Sequence, residues 1–307
     1  IGVQGRLFYD LIKKLPPGEI VFKIEKETSL LIQQGRRKYK IPTNENTWFQ
    51  DISAFPQENS VFWSGDYLQE IIDKIAYCIS DEETMEAISC LSLKNHSVSE
   101  DETEFSIEAC GMNGHQFAMF SFYNEELTRL LSEKGFLIQK NYLSELKKWL
   151  GDDEIEVNVG DKRLFFRANN GAETFSLPLS FYNYPDYHNF ISRLNTEDCF
   201  SMIINRQELI AALDRLMVFN DDHNRGTFFN FNSTELELNT QGQESGSASE
   251  IIEIEGKGAM QKVCFSTKNL IEILNHFSSE NLTFTLTGEE GPCGVLGEQD
   301  QDYTVII

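Results

Sequence analysis

The strongest constraint on the fold of this 307-residue chain is that it repeats itself. Three stretches follow one pattern: GRLFYDLIKKLPPGEIVFKIEKETSLLIQQGRRKYKIPT from Gly5, KNYLSELKKWLGDDEIEVNVGDKRLFFRANNGAETFSLPL from Lys140, and TKNLIEILNHFSSENLTFTLTGEEGPCGVLGEQDQDYTVII from Thr267. Each opens with apolar residues at helical spacing, which gives a helix one apolar stripe: Leu7, Leu11 and Leu15; Leu143, Leu146 and Leu150; Leu270, Ile273 and Leu274. Each helix stops at a breaker, Pro16-Pro17-Gly18, Gly151-Asp152-Asp153 or Ser278-Ser279. A strand of period two follows at once, through Ile20, Phe22 and Ile24, through Ile155, Val157 and Val159, and through Leu282, Phe284 and Leu286. Two further short strands close each unit.

Two other segments share the helical opening, over 66–79 and 205–217, but continue into longer strands and wider loops. One loop, 97–104, is acidic and Ser-rich; another, 241–249, is rich in Gln, Gly and Ser. Short and long units alternate, beginning and ending on a short one. Pairing each long unit with the short one after it predicts two α+β domains, 59–194 and 195–307. Residues 1–58 are then the second half of a further domain whose first half is absent from the chain. The expectation is a three-domain protein with its first domain halved. The hydrophobic content, 40%, suffices to fill such cores, and no apolar run approaches the ~20 residues of a membrane-spanning helix.

The net charge of −23 argues against a grip on nucleic acid when taken whole. Its distribution argues otherwise. The five expected helices (6–15, 66–79, 140–150, 205–217, 267–277) carry ten basic and eight acidic residues, whereas the rest of the chain carries 16 and 41. Lysine and arginine are ordinary residues of solvated helix faces. The alternative is a helical face turned toward a polyanion, lined by Lys13, Lys14, Lys140, Lys147, Lys148, Arg206 and Arg215. A modest basic lining on an acidic body suits weak, sequence-independent contact with duplex DNA.

No catalytic constellation is visible. Asn113-Gly114-His115 and Asp221-Asp222-His223 hold hydrolase-like residue types, but no nucleophile motif accompanies them. There is no phosphate-binding loop and no dinucleotide fingerprint. The six cysteines are scattered without C-x-x-C spacing, as reduced thiols are, and no His/Cys spacing marks a metal site or calls for a cofactor. The reading is a protein that is not an enzyme. An acidic repeat scaffold that binds only other proteins is the alternative to a DNA-encircling one.

The landmarks GRLFYDLIKKLP with QGRRKYKIPT, GMNGHQFA from Gly111, YPDY from Tyr184, NRG ending at Gly226 and the closing DYTVII from Asp302 resemble, in order and spacing, the bacterial DNA polymerase III beta subunit, the sliding clamp. The resemblance runs over essentially the whole chain. It implies a cytoplasmic, head-to-tail homodimeric ring with helices inside and sheets outside, encircling duplex DNA. It also implies partners, namely the polymerase III catalytic subunit, the clamp loader and other proteins carrying a short clamp-binding motif. They would insert apolar side chains into one groove, which by position comprises Ile88, Met112, Gly114, His115, Phe117, Pro185, Asn189, Phe190, Val305 and Ile306. The chain departs from the family pattern at Met112-Asn113, at Gln116, and at His188 and Asn189, where arginines are usual. The stretch 80–86, which approaches DNA in the family, is acidic here, and no Met-Pro-Met ending follows Ile307.

Overall fold

The computed structural model describes residues 1–25, 28–45, 53–97, 105–132, 134–160, 162–194, 199–222, 224–242, 245–258 and 260–307. Most of the acidic loop, residues 243–244 of the Gln/Gly/Ser-rich loop and His223 lie outside the described residues. The chain forms two compact units, Ile1–Ala54 and Phe55–Ile307.

In the first unit, helix α1 (Gly5–Lys13) precedes strands β1 (Val21–Glu25), β2 (Ser29–Gln34) and β3 (Arg37–Pro42), an antiparallel sheet in the order β1-β2-β3. Leu30, Ile32 and Ile41 form its core, with Phe8, Leu11, Ile12 and Leu15 of the helical side packed against them. The alternation of Ile20, Phe22 and Ile24 produces a strand, but not a buried one. Phe22 and Ile24 pair with Ile32 and Leu30 and so share the core face, yet they are 49% and 58% exposed. One nine-residue helix covers the centre of a three-stranded sheet and leaves its edge strand bare.

The second unit begins with β4 (Val61–Ser64), α2 (Gly65–Ala76), β5 (Cys90–Ser97), β6 (Phe105–Met112), β7 (Phe117–Phe122), α3 (Glu125–Leu130), β8 (Phe136–Gln139) and α4 (Lys140–Trp149). Strands β9 (Glu154–Gly160), β10 (Arg163–Ala168) and β11 (Glu173–Pro178) lead to α5 (His188–Leu194). Then come β12 (Phe200–Asn205), α6 (Arg206–Met217), β13 (Gly226–Phe231), β14 (Glu235–Gly242), β15 (Gly246–Glu253), β16 (Glu255–Lys257), β17 (Met260–Ser266), α7 (Thr267–Asn275), β18 (Asn281–Leu286), β19 (Cys293–Gly297) and β20 (Tyr303–Ile306).

The repeat seen in the sequence is a repeat of sheets. Order β4-β9-β10-β11 matches β12-β18-β19-β20, and β8-β5-β6-β7 matches β17-β13-β14-β15. A continuous nine-stranded sheet, β16-β12-β18-β19-β20-β7-β6-β5-β8, arises because β20 pairs antiparallel with β7. Helices α2 and α4 pack together and touch strands of both neighbouring sheets; α6 and α7 do the same in the second copy. Their buried stripes follow helical spacing, Leu68, Ile71, Ile72 and Ile75 on α2 and Leu209, Ala212, Leu213 and Leu216 on α6. Both helices start at side-chain caps: Ser64 accepts from the Tyr67 amide at 3.4 Å and Asn205 from the Glu208 amide at 3.0 Å. All six cysteines are free thiols. No described helix is long and apolar enough to cross a membrane.

Candidate functional site

An apolar groove of roughly 540 Å³ opens where β6, β7, α5 and the ends of β19 and β20 meet. Its floor is a small core of its own, formed by Cys110, Phe117, Tyr187 and Ile306, with Met112, Tyr184 and Ile191 packed around them. The Phe117 and Tyr187 rings stack at 4.9 Å between centroids. Phe190, 47% exposed, stands on the rim. A larger depression over Ile203 and Leu296 is edged by Glu208, Glu253, Glu255 and Glu298, which makes it a poor seat for an apolar side chain.

Local sequence builds the two walls. Between β6 and β7 the chain turns at Asn113–Gln116. The Asn113 side-chain oxygen accepts from the His115 and Gln116 amides at 3.0 and 2.9 Å. Gly114 takes φ +88°, the conformation that favours glycine at the first central position of a hairpin turn. This places Gly114, His115 and Gln116 on one rim. On the other wall, Pro185-Asp186 introduces α5. Asp186 accepts from the His188 amide at 3.1 Å, holding the first turn so that Phe190 and Arg193 line the groove.

Of the ten groove residues expected from the resemblance, Met112, Gly114, His115, Phe117, Pro185, Phe190 and Ile306 line this cavity. Val305 does not: it is fully buried, paired with Val295 and Ala118, because adjacent residues of a strand point to opposite faces. Ile88 is half-buried in the turn before β5, and the exposed Asn189 turns its side chain to Asp186 at 3.1 Å; neither lines the groove. Sequence reasoning missed Arg193, Ile307 and the turn Glu290-Gly291-Pro292, which form the remaining wall with Gln116. Gly291-Pro292 is a turn signal in the sequence, but nothing local marks where that turn lies against the groove.

The seven expected DNA-facing cations are mostly engaged within the chain. Lys140 lies 2.7 Å from the Asp81 carboxylate and donates to the Ile79 carbonyl. Lys147 pairs with Asp73 and Lys148 with Glu145. Arg215 forms a two-pronged contact with Glu250 at 2.8 and 2.5 Å. Arg206 donates to the Ser279 and Leu274 carbonyls at the end of α7, a structural task. Lys13 at the end of α1 and Lys14, its C-cap, are exposed, with Lys13 over the Tyr9 ring.

Paired helices on duplicated sheets, with an apolar groove at the seam, are the architecture of the DNA-clamp fold. Residues 194–307 match the family model of the DNA polymerase III beta subunit, C-terminal domain. The beta sliding clamp of Pseudomonas aeruginosa is 20% identical over 307 residues, covering all of this chain and 80% of its own length. Among solved structures, the beta sliding clamp of C. crescentus superposes with a TM-score of 0.87 at 18% identity, over 99% of this chain and 80% of that one. A clamp from Bartonella birtlesii, solved bound to griselimycin, superposes with a TM-score of 0.85 at 21% identity, over 99% and 80%. The C-terminal third of the chain thus matches the DNA polymerase III beta subunit family, and the chain as a whole has the fold of the beta sliding clamps.

Proposed function

We propose that this protein is a non-enzymatic sliding clamp of the cytoplasm, which encircles duplex DNA without regard to sequence and tethers polymerase, clamp loader and other motif-bearing proteins through the groove at Met112, Phe117, Phe190 and Ile306. In this reading residues 59–194 and 195–307 are its second and third clamp domains, 1–58 belongs to the first, and a head-to-tail pair of protomers closes the ring. The groove is the observation that carries the reading. Its apolar floor and half-exposed aromatic rim suit a short peptide with leucine or phenylalanine anchors, and the few polar groups at its edge suit the peptide backbone. The engagement of Lys140, Lys147, Lys148, Arg206 and Arg215 within the chain supports weak, gliding contact with phosphate rather than tight binding. The same observation is what an acidic scaffold without DNA encirclement would present.

A fluorescent Leu/Phe-rich clamp-binding peptide, titrated against the chain and against Phe190→Ala, tests the groove. Saturable micromolar binding, of order −8 kcal/mol, weakened at least tenfold in the variant, is the expected result. Equal binding by both would remove the groove from the proposal. Retention on circular but not linear DNA after loading separates the clamp from the scaffold.

A further inference from the structure

The fold gathers one group of metal-ligating side chains that no sequence spacing announces. His96 comes from β5, Glu108 from β6 and His188 from the first turn of α5. One ligand atom of each lies within 4.8 Å of the others. His96 Nδ1 is 4.0 Å from Glu108 Oε1, and His188 Nε2 is 3.7 Å from Glu108 Oε2. The two imidazoles stack, with centroids 4.6 Å apart and planes 25° from parallel. Glu108 is 5% exposed, and among the described residues no lysine or arginine comes within ion-pair distance of it. Its only other polar contact there is the Tyr187 hydroxyl, which donates to Oε2.

A buried carboxylate without a fixed cation is costly, and two imidazoles with a carboxylate are what a divalent transition metal such as Zn²⁺ prefers. We propose that His96, Glu108 and His188 form a Zn²⁺ site, with a fourth position open to solvent. Ligand bonds of about 2.0–2.2 Å place tetrahedral ligand atoms roughly 3.4 Å apart. The observed separations close to that value when the two imidazoles rotate, and both are about half exposed, at 42% and 46%. Glu108 needs no such movement, since Tyr187 already holds it, as an outer-shell donor orients a metal-bound carboxylate. The bound ion would tie the first turn of α5 to β5 and β6. Tyr187, whose hydroxyl holds Glu108, is also the ring stacked on Phe117 in the groove floor.

Titration calorimetry with Zn²⁺ on the full chain tests this, in a Cys264→Ser background that removes the one exposed thiol. One ion per chain is expected, bound at least tenfold more weakly by His96→Ala and by His188→Ala. Both side chains are half-exposed, so the fold tolerates these changes. Diethyl pyrocarbonate modification of the chain with all its histidines supplies a second reading: Zn²⁺ should protect His96 and His188 while leaving the exposed His115 reactive. Absence of Zn²⁺ uptake, uptake unchanged in both imidazole variants, or equal modification of His96 and His188 with and without the ion would overturn the site.

Discussion

Lys74 on α2 and Asp300, just before β20, meet at 3.1 Å with side chains only 13% and 2% exposed. The contact joins the two copies of the repeat beside their shared sheet, where the Lys74 ammonium also lies over the Phe120 and Tyr303 rings of the paired strands β7 and β20. Asp300 does more than pair. Its oxygens accept from the backbone amides and hydroxyls of Ser278 and Ser279 at 2.6–2.9 Å, closing the segment that follows α7. Beside it, the Tyr77 and Tyr303 hydroxyls meet at 2.8 Å, and Tyr303 donates to the Lys74 carbonyl at 2.9 Å.

Removing the carboxylate should therefore cost more than a surface ion pair. Asp300→Ala leaves the shielded Lys74 ammonium with only Glu70, at 4.0 Å, as a carboxylate partner and takes the acceptor from two serine amides. A loss of about 3–5 kcal/mol is expected, the range for breaking a buried pair. Urea unfolding of the variant beside the parent chain measures it; a change below about 1 kcal/mol would show the contact to be energetically idle.

The same group gives stability an acid limb. Burial pushes the Asp300 carboxyl up, but the hydrogen bonds from Ser279, Ser278 and Lys74 outweigh it and hold the group well below the usual carboxylate range. A depressed carboxyl contributes fully above the unfolded-chain value of about 3.9 and loses its contribution as pH falls from there toward the folded value. The parent chain should thus lose more stability than Asp300→Asn between pH 5 and pH 3 (roughly the window set by that unfolded value). Equal losses in denaturant melts at the two pH values would contradict this.

Two basic residues expected on one DNA-facing surface should separate experimentally. Arg206→Ala removes the donor that closes the end of α7 and should cost about 1.5–3 kcal/mol of stability. Lys14→Ala, exposed at the C-cap of α1, should change stability by less than about 0.5 kcal/mol and instead shorten retention on circular DNA as salt rises. The opposite pattern would exchange their roles.

Thiol chemistry should be confined to one position. Burial pushes the Cys78 thiol up to about 12 and lifts Cys110 and Cys293 well beyond the ordinary thiol range. Cys264 alone is exposed, and partial burial raises its thiol too. A disulfide reagent should label Cys264 slowly in the native protein and all six thiols in denaturant, as peptide mapping would reveal.

Local periodicity made the helices legible because an apolar stripe is written within a dozen residues. Leu68, Ile71, Ile72 and Ile75 face the core where spacing puts them. Helix α5 was not legible, since seven residues reading HNFISRL carry too short a pattern, yet it supplies Phe190. That Val305 leaves the groove while Ile306 stays was within reach of strand alternation alone. The engagement of the cations was not. Arg215 with Glu250, Lys147 with Asp73 and Lys140 with Asp81 join residues remote in sequence, and only the packing of helix on strand, on helix and on loop brings them together. His96, Glu108 and His188 were invisible for the same reason.

The pairing of β20 with β7 runs from Tyr303 opposite Phe120 to Ile306 opposite Phe117. A force along these strands must shear the whole ladder at once, while a force across them unzips it rung by rung, starting at an end. One end of that seam is the Ile306–Phe117 rung, and both residues belong to the groove floor. A peptide seated there, as proposed above, would lie across the joint as a splint does across a fracture, on one of the two rungs where unzipping can begin. On that proposal, partner docking and the mechanical toughness of the seam share the same few side chains.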